Sequence, residues 1–442
     1  MATRYAPRPW VPPAIEAAIE HSAEHYRALE AHALEAELHS LLARHEQYMD
    51  HECLSLYAGT NILNPRAAQL LAASVGSRPS LGYPGAKYEM GMQYAEQIEI
   101  MAVELLKELF GCSYAEFRVG SGSLANLYAY MACTRPGDAI MAFADSAAGH
   151  VTHHQAGAAG LYGLQIHEVP YDAAQMTIDL PALRTAAARI RPSLIIIAGS
   201  MCLFPYPVAQ ARAIADEVGA YLMYDAAHMS GLIAGGAFQQ PLAEGAHLIT
   251  SSTYKSFGGP PSGMILTNDA ELARRLDSIA YPGLTANFDL GKTAALIVAM
   301  LDLREHGRAY AQMCIANAQA LAAALAERGC PVHAVAGRGY TASQHIAIQA
   351  HAYGGGNAAA RRLELANILT SGIELPLPPV AGDFNALRLG TQEITRWGMV
   401  PADMPAVAEL IAQVLVQGAQ PEQVRPAVVA LRAGFQKLHF VR

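Results

Sequence analysis

A chain of 442 residues exceeds what one hydrophobic core usually serves, so two domains are expected. Its 52% hydrophobic and 15% charged residues suit a compact enzyme with a sizeable subunit interface, while a net charge of −8 leaves no basic stripe for nucleic acid. No stretch approaches ~20 uninterrupted apolar residues and the first residues carry no apolar signal run, so a cytoplasmic protein without a membrane span is expected. The six cysteines (Cys53, Cys112, Cys133, Cys202, Cys314, Cys330) are scattered without a CxxC pair or metal-ligand spacing. They read as reduced thiols in a protein without a metal site.

After Pro12 and Pro13, an Ala/Glu/Leu/His-rich stretch from Ala14 to Met49 has no internal Gly or Pro and predicts an N-terminal helical arm over residues 1–50, packing across a partner subunit. Ala95 to Leu109 has helical spacing. Short apolar runs follow at Ala139–Phe143, Leu194–Ala198, Tyr221–Tyr224 and Met264–Thr267, with helical stretches such as Ala209–Val218 between them. Runs of this kind predict strands buried on both faces, so residues 51–290 read as a large α/β domain, doubly wound around a mainly parallel sheet. From Gly291 the pattern becomes helical, over Ala294–Leu303 and then Ala309–Arg328. A mixed segment and helices such as Met404–Val416 follow, giving a smaller C-terminal α+β domain over residues 291–442. The Gly-rich patch from Tyr353 to Asn357 reads as a loop.

Three segments carry candidate chemistry. Val119-Gly-Ser-Gly-Ser-Leu-Ala-Asn126 offers small residues, free backbone N–H groups and two hydroxyls at the start of a helix, which make a phosphate cradle or simply a turn. Asp225, in Tyr224-Asp-Ala-Ala-His228, follows an apolar strand and so points into the crevice where ligands of open α/β sheets bind. There it would keep a pyridine nitrogen protonated, or merely cap the next helix. Lys255 follows a strand and a run of hydroxyl residues and enters the turn Ser-Phe-Gly-Gly-Pro-Pro. That setting suits an amine of lowered pKa that condenses with an aldehyde, although one such lysine alone also reads as a surface residue. The order of phosphate loop, His150, Ser200, Asp225, His228 and Lys255 in one α/β domain points to pyridoxal 5'-phosphate.

These motifs resemble the serine hydroxymethyltransferase family, in the aspartate-aminotransferase fold (fold type I) of pyridoxal-phosphate enzymes. Gly82-Tyr-Pro-Gly-Ala-Lys-Tyr88 is similar to the family's Gly-Tyr-Pro-Gly-x-Arg-Tyr, and Gly149-His-Val-Thr-His153 to its Gly-His-Leu-Thr-His. Asp225-Ala-Ala-His-Met-Ser-Gly-Leu232 is similar to Asp-x-Ala-His-x-x-Gly-Leu, and the run from Leu387 to Gly398 to Ile-Arg-x-Gly-Thr-x-x-x-Thr-Arg-x-Gly. The resemblance implies that Lys255 carries the cofactor and His150 stacks on its ring. It implies that Asp225 holds the ring nitrogen, Ser200 bonds the phenolic oxygen, and Ser121, Gly122 and Ser123 bind the phosphate; His228, three residues after Asp225, would bond to that oxygen or to a substrate carboxylate. Arg388, with Tyr88, would take the substrate carboxylate, for which a planar guanidinium is suited. The family also implies a homodimer with its sites at the interface.

Four departures bear on the reaction. Leu81 stands where the family has a glutamate tied to folate chemistry, Pro79 where it has a tyrosine, Glu89 in place of a second tyrosine, and Tyr254 in place of a histidine before the lysine. The stretch Leu375-Pro-Leu-Pro-Pro379, where the family contacts folate, is proline-rich. Leu81 cannot transfer a proton. The reading that follows is a tetrahydrofolate-independent aldolase acting on serine or α-methylserine, releasing formaldehyde and glycine or alanine. Glu89, His150, His228 and Tyr254 are the proton-transfer candidates. A tetrahydrofolate-dependent hydroxymethyltransferase with Glu89 as replacement acid, a threonine aldolase or transaldolase, and a racemase, transaminase or decarboxylase on the same fold are the alternatives.

Overall fold

A computed structural model describes residues 6–285 and 287–442. The chain divides into two compact units, residues 1–53 and 54–442. In the first, helix α1 (Pro13–Arg27) begins on a proline, whose missing N–H costs nothing at that position, and helix α2 (Ala31–Glu46) follows. Ala14 to Met49 is therefore helical, as two α-helices followed by the start of a π-helical turn (Gln47–Glu52). The break falls where Glu30 adopts an extended backbone (φ −70°, ψ 158°), with neither Gly nor Pro to mark it.

In the second unit a helix α3 (Gln93–Phe110) precedes the strand β1 (Tyr114–Val119) and the helix α4 (Gly122–Cys133). Six further strands complete a seven-stranded sheet: β2 (Ala139–Ala142), β3 (Gln165–Glu168), β4 (Leu194–Ile197), β5 (Tyr221–Asp225), β6 (Leu248–Ser252) and β7 (Gly263–Thr267). Their order is β1-β7-β6-β5-β4-β2-β3. β7 runs antiparallel to both of its neighbours, and the other pairs are parallel. Every residue of β4, β6 and β7 is buried, as helices on both faces of a sheet require. Register pairs Tyr224 with Ile197 and Asp225 with Thr250, so the carboxyl ends of β4, β5 and β6 lie level along one edge.

Helix α5 (Leu290–Glu327) is one element of 38 residues, about 57 Å long. The two helices expected over 294–303 and 309–328 are thus continuous. Gly307, which resembles a break, is instead a point of close approach: a Cβ added to Gly235 would meet the Gly307 carbonyl oxygen at 2.3 Å. Leu296, Met300 and Leu303 of α5 join the core of the large sheet, while Leu321, Ala322 and Leu325 join a second core. That second core covers a three-stranded antiparallel sheet, β8 (His345–Gln349), β9 (Ser371–Ile373) and β10 (Ala386–Gly390), in the order β8-β10-β9. Arg388 sits on the central strand, opposite Ala347 and Ser371.

Candidate active site

The carboxyl ends of β1, β4, β5 and β6 open onto one cleft, lined by Ser121, Gly122, Ser123, Asn126, His150, Gly199, Asp225, Ala227, His228, Ser252, Tyr254 and Lys255. This is the place where open α/β sheets bind ligands, beyond the strand termini. A wider groove of about 640 Å³, bordered by Tyr83, Glu104, Arg118 and Asp277, contains none of these groups.

At one end of the cleft α4 begins. Ser121 is extended (φ −162°, ψ 165°) and its hydroxyl accepts the Leu124 N–H at 3.2 Å, which caps the helix. Gly122 lets this end approach β6, since a Cβ there would come within 3.1 Å of Ser252 Cβ. The remaining first-turn N–H groups and the positive end of the helix dipole make an anion cradle.

Lys255 lies in the turn joining β6 to β7. Its Nζ is 3.1 Å from His228 Nε2, and the lysine is only 7% exposed. Burial pulls its pKa down to about 8, against a smaller upward pull from Asp225. The turn is tied to the one after β5, because Ser256 Oγ donates to the His228 carbonyl (2.6 Å) and accepts the Gly231 N–H (3.0 Å). Gln344 Nε2 donates to the same carbonyl at 2.7 Å, and the His345 ring lies 5.3 Å from that of His228. Burial holds His228 well below its ordinary pKa and lowers His345 to about 3, so both rings are neutral near pH 7. Tyr254 is raised by burial and stays a phenol, its ring centroid 5.9 Å from Lys255 Nζ.

Asp225 ends β5 and is 3% exposed. Burial alone would raise its pKa; the hydrogen bond and charge of His153 outweigh that and hold the carboxylate ionised. Oδ1 accepts the Ala227 N–H at 3.0 Å, while Oδ2 accepts Asn126 Nδ2 at 3.1 Å and lies 2.9 Å from His153 Nε2. Asn126 Nδ2 also donates to Thr152 Oγ1 (2.8 Å), so the Thr152 hydroxyl proton is free for His150 Nδ1, 2.8 Å away. The Thr152 N–H points to the same nitrogen at 3.3 Å. Nδ1 of His150 is therefore an acceptor and the ring proton sits on Nε2. Burial lowers His150 to about 4, which keeps that neutral tautomer.

Arg388 is buried, and desolvation brings it down to about 10. Its Nη1 donates to the Ser200 carbonyl and its Nη2 to Ser371 Oγ (3.1 Å), leaving Nε without a partner. An orphaned guanidinium N–H whose charge reaches the buried Lys255 amine is a place that a carboxylate could fill.

Ser121, Gly122, Ser123, His150, Asp225, His228, Tyr254 and Lys255 thus share one cleft, with Ser200 next to the lining residue Gly199 and joined to Arg388. Tyr88 and Glu89 do not line it. Tyr88 is 77% exposed, and Glu89 accepts the Leu81 N–H at 2.9 Å at the base of the Gly82–Lys87 hairpin. Sequence reasoning does not single out the roles of Asn126, Thr152, His153, Gln344 and His345. His153 carries one signal, its place three residues after His150 in the Gly149–His153 run, but nothing in that run names Asp225 as its partner. An anion cradle, an ionised carboxylate, a neutral imidazole and an amine near pKa 8 fit a phosphorylated pyridine aldehyde.

The serine hydroxymethyltransferase family model matches residues 32–411. An alpha-methylserine aldolase of a Ralstonia species is 49% identical over 98% of this chain and 99% of its own. One of Variovorax paradoxus is 52% identical over 92% of each. A serine hydroxymethyltransferase of Methanopyrus kandleri is 40% identical over 90% of this chain and 92% of its own. Among solved structures, an L-threonine transaldolase from Pseudomonas fluorescens superposes with a TM-score of 0.84 at 25% identity, over 96% of both chains.

Proposed function

The chain belongs to the serine hydroxymethyltransferase family of pyridoxal-phosphate enzymes, and from that premise we propose that it cleaves the Cα–Cβ bond of α-methylserine, giving formaldehyde and alanine without tetrahydrofolate. Serine, giving glycine, is the smaller substrate of the same class. The observation that carries this reading is identity near 50% to alpha-methylserine aldolases over almost the whole chain, together with Leu81 at the position of the family's glutamate.

When bound, the cofactor supplies the electron sink for the bond that breaks. Ser121, Gly122 and Ser123 would hold its phosphate, Asp225 its ring nitrogen, His150 its ring face, and Ser200 or His228 its phenolic oxygen. Lys255, brought down to about 8, would present a far larger neutral fraction to the cofactor aldehyde near neutral pH than an ordinary lysine. Arg388 would take the substrate carboxylate through its free Nε, and so would fix how the amino acid is presented to the cofactor. A base must then take the β-hydroxyl proton. His150 cannot do so through Nε2, which already bears a proton. Glu89 can: its carboxylate rests on the backbone N–H of Leu81, so an acid is restored at the position that lost one.

Because Tyr88 and Glu89 lie outside this chain's own cleft, they would serve a second subunit. The exposed side chains Tyr83, Tyr88, Met90 and Tyr94 offer the apolar surface for such a homodimer. Six free, buried cysteines suit a cytoplasmic setting, and no helix among the described residues is long and apolar enough to cross a membrane.

The test is formaldehyde release from α-methylserine and serine, with and without tetrahydrofolate, against Lys255→Ala. Folate-free release that the variant abolishes is expected. Release only with tetrahydrofolate would restore the hydroxymethyltransferase reading, and silence on both substrates would shift it to threonine-like substrates with an acceptor aldehyde.

A further inference from the structure

Behind Asp225 runs a hydrogen-bonded chain that the proposed chemistry leaves unused. His153 Nε2 lies 2.9 Å from Asp225 Oδ2, and His153 Nδ1 lies 2.6 Å from the Tyr130 hydroxyl. That hydroxyl is in turn 3.1 Å from the Thr152 carbonyl oxygen. Tyr130, Thr152, His153 and Asp225 are all at most 4% exposed. Burial, and then the charge of Asp225, raise Tyr130 well above its ordinary pKa, so its single proton stays in place. One proton cannot serve two neighbours. Among the described residues no other donor reaches the Thr152 carbonyl, and a buried carbonyl left without a donor is rare. If Tyr130 donates to Thr152, His153 Nδ1 must donate to Tyr130 Oη. Its Nε2 must donate as well, because ionised Asp225 can only accept. Both ring nitrogens then carry protons.

We propose that Tyr130 holds His153 as an imidazolium, and that this buried cation is the fixed partner that keeps Asp225 ionised and aimed. His153 and Asn126 occupy Oδ2, while Oδ1 takes a single protein donor, the Ala227 N–H, and keeps a lone pair for the cofactor nitrogen. The other titratable ring facing His153 is His150, 6.3 Å away between centroids and neutral through burial, so it neither shares the proton nor competes for Asp225. His153 and Tyr130 are positioning residues: they offset part of the Asp225 charge and so moderate how tightly the cofactor holds its protons. The aim of Asp225 at the cofactor rests on the proposed function; the ion pair itself does not.

The experiment is the nitrogen-15 histidine spectrum of the full-length, cofactor-loaded protein, with His153→Gln to assign the signal and Tyr130→Phe to remove the hydroxyl. Two protonated nitrogens on His153 at about pH 7 are expected in the wild type, and one bare nitrogen in Tyr130→Phe. The same spectrum of cofactor-free protein examines the ion pair independently of what Asp225 does for the cofactor. A second readout is the pH midpoint of the visible absorbance of the loaded enzyme. Loss of the cation should strengthen proton binding at the cofactor about tenfold, moving the midpoint upward in both variants. A bare nitrogen on wild-type His153 at neutral pH overturns the proposal, as does a midpoint that neither variant moves upward. Weakened cofactor binding without that upward movement would mark the two residues as packing alone and overturn it too.

Discussion

Replacing Lys255 by methionine should change how stability depends on pH, in a direction the structure dictates. The amine is buried, with its pKa brought from 10.5 to about 8, chiefly by desolvation. A lysine whose folded pKa is depressed binds fewer protons folded than unfolded between these two values, so stability rises with pH across that window. The penalty for the buried charge is complete below about pH 8, shrinks as the pH climbs, and is gone above about 10.5, amounting to about 3 kcal/mol. Methionine keeps an unbranched chain as far as Cε and removes the titrating Nζ. The stability of Lys255→Met relative to wild type should therefore be about 3 kcal/mol more favourable at about pH 7 than at about pH 10.5. Urea unfolding of the two cofactor-free proteins at both pH values measures this. Other titrating groups cancel in the comparison, because both proteins carry them. Parallel pH profiles would mean that Lys255 ionises like a solvated lysine, and the case for a preformed reactive amine would fail. The same shift leaves about a quarter of the amine neutral at about pH 7.5, against about one in a thousand for an ordinary lysine.

Arg388→Lys keeps the charge but loses the fork, and at about 2 kcal/mol for the lost charge-assisted bonds KM for the amino acid should rise by roughly 10- to 100-fold; an unchanged KM in steady-state assays would remove Arg388 from carboxylate binding. Glu89→Gln should lower kcat by about 100-fold while leaving the absorbance of bound cofactor unaltered, and full activity would exclude Glu89 as the proton acceptor. The segment that carries Glu89 is anchored by Lys87 Nζ on Glu99 Oε2 at 2.6 Å, with both side chains at most 5% exposed. Glu99→Gln strands the lysine charge and should cost about 3 kcal/mol in denaturant unfolding, with kcat falling more than cofactor affinity; a cost below about 1 kcal/mol would show the pair to be replaceable by water.

Features local to the chain are legible in the amino-acid sequence alone. The buried strands ending at Ile197, Asp225 and Thr267 can be read there because an apolar run bounded by Gly, Pro or Asp has few other ways to satisfy its backbone. Ser121, Asp225 and Lys255 can be read because Asp225 ends its strand and the other two follow theirs within a few residues, and a strand's carboxyl end fixes where the next residues emerge. Gly307 misleads for the complementary reason. A glycine inside a helix looks like a break unless the backbone pressed against it is known, and that backbone, at Gly235, lies in another segment. Partner choice is equally out of reach. That Arg388 donates to the carbonyl of Ser200, that Glu89 rests on Leu81, and that Tyr130 and His153 stand behind Asp225 depend on which donor comes within 3 Å of which acceptor. Residue types and spacing along the chain determined what chemistry was possible. Only the packing of distant segments decided which nitrogen carries a proton and which N–H is left free for a substrate, because hydrogen bonds and desolvation act through space, with no regard to separation in sequence.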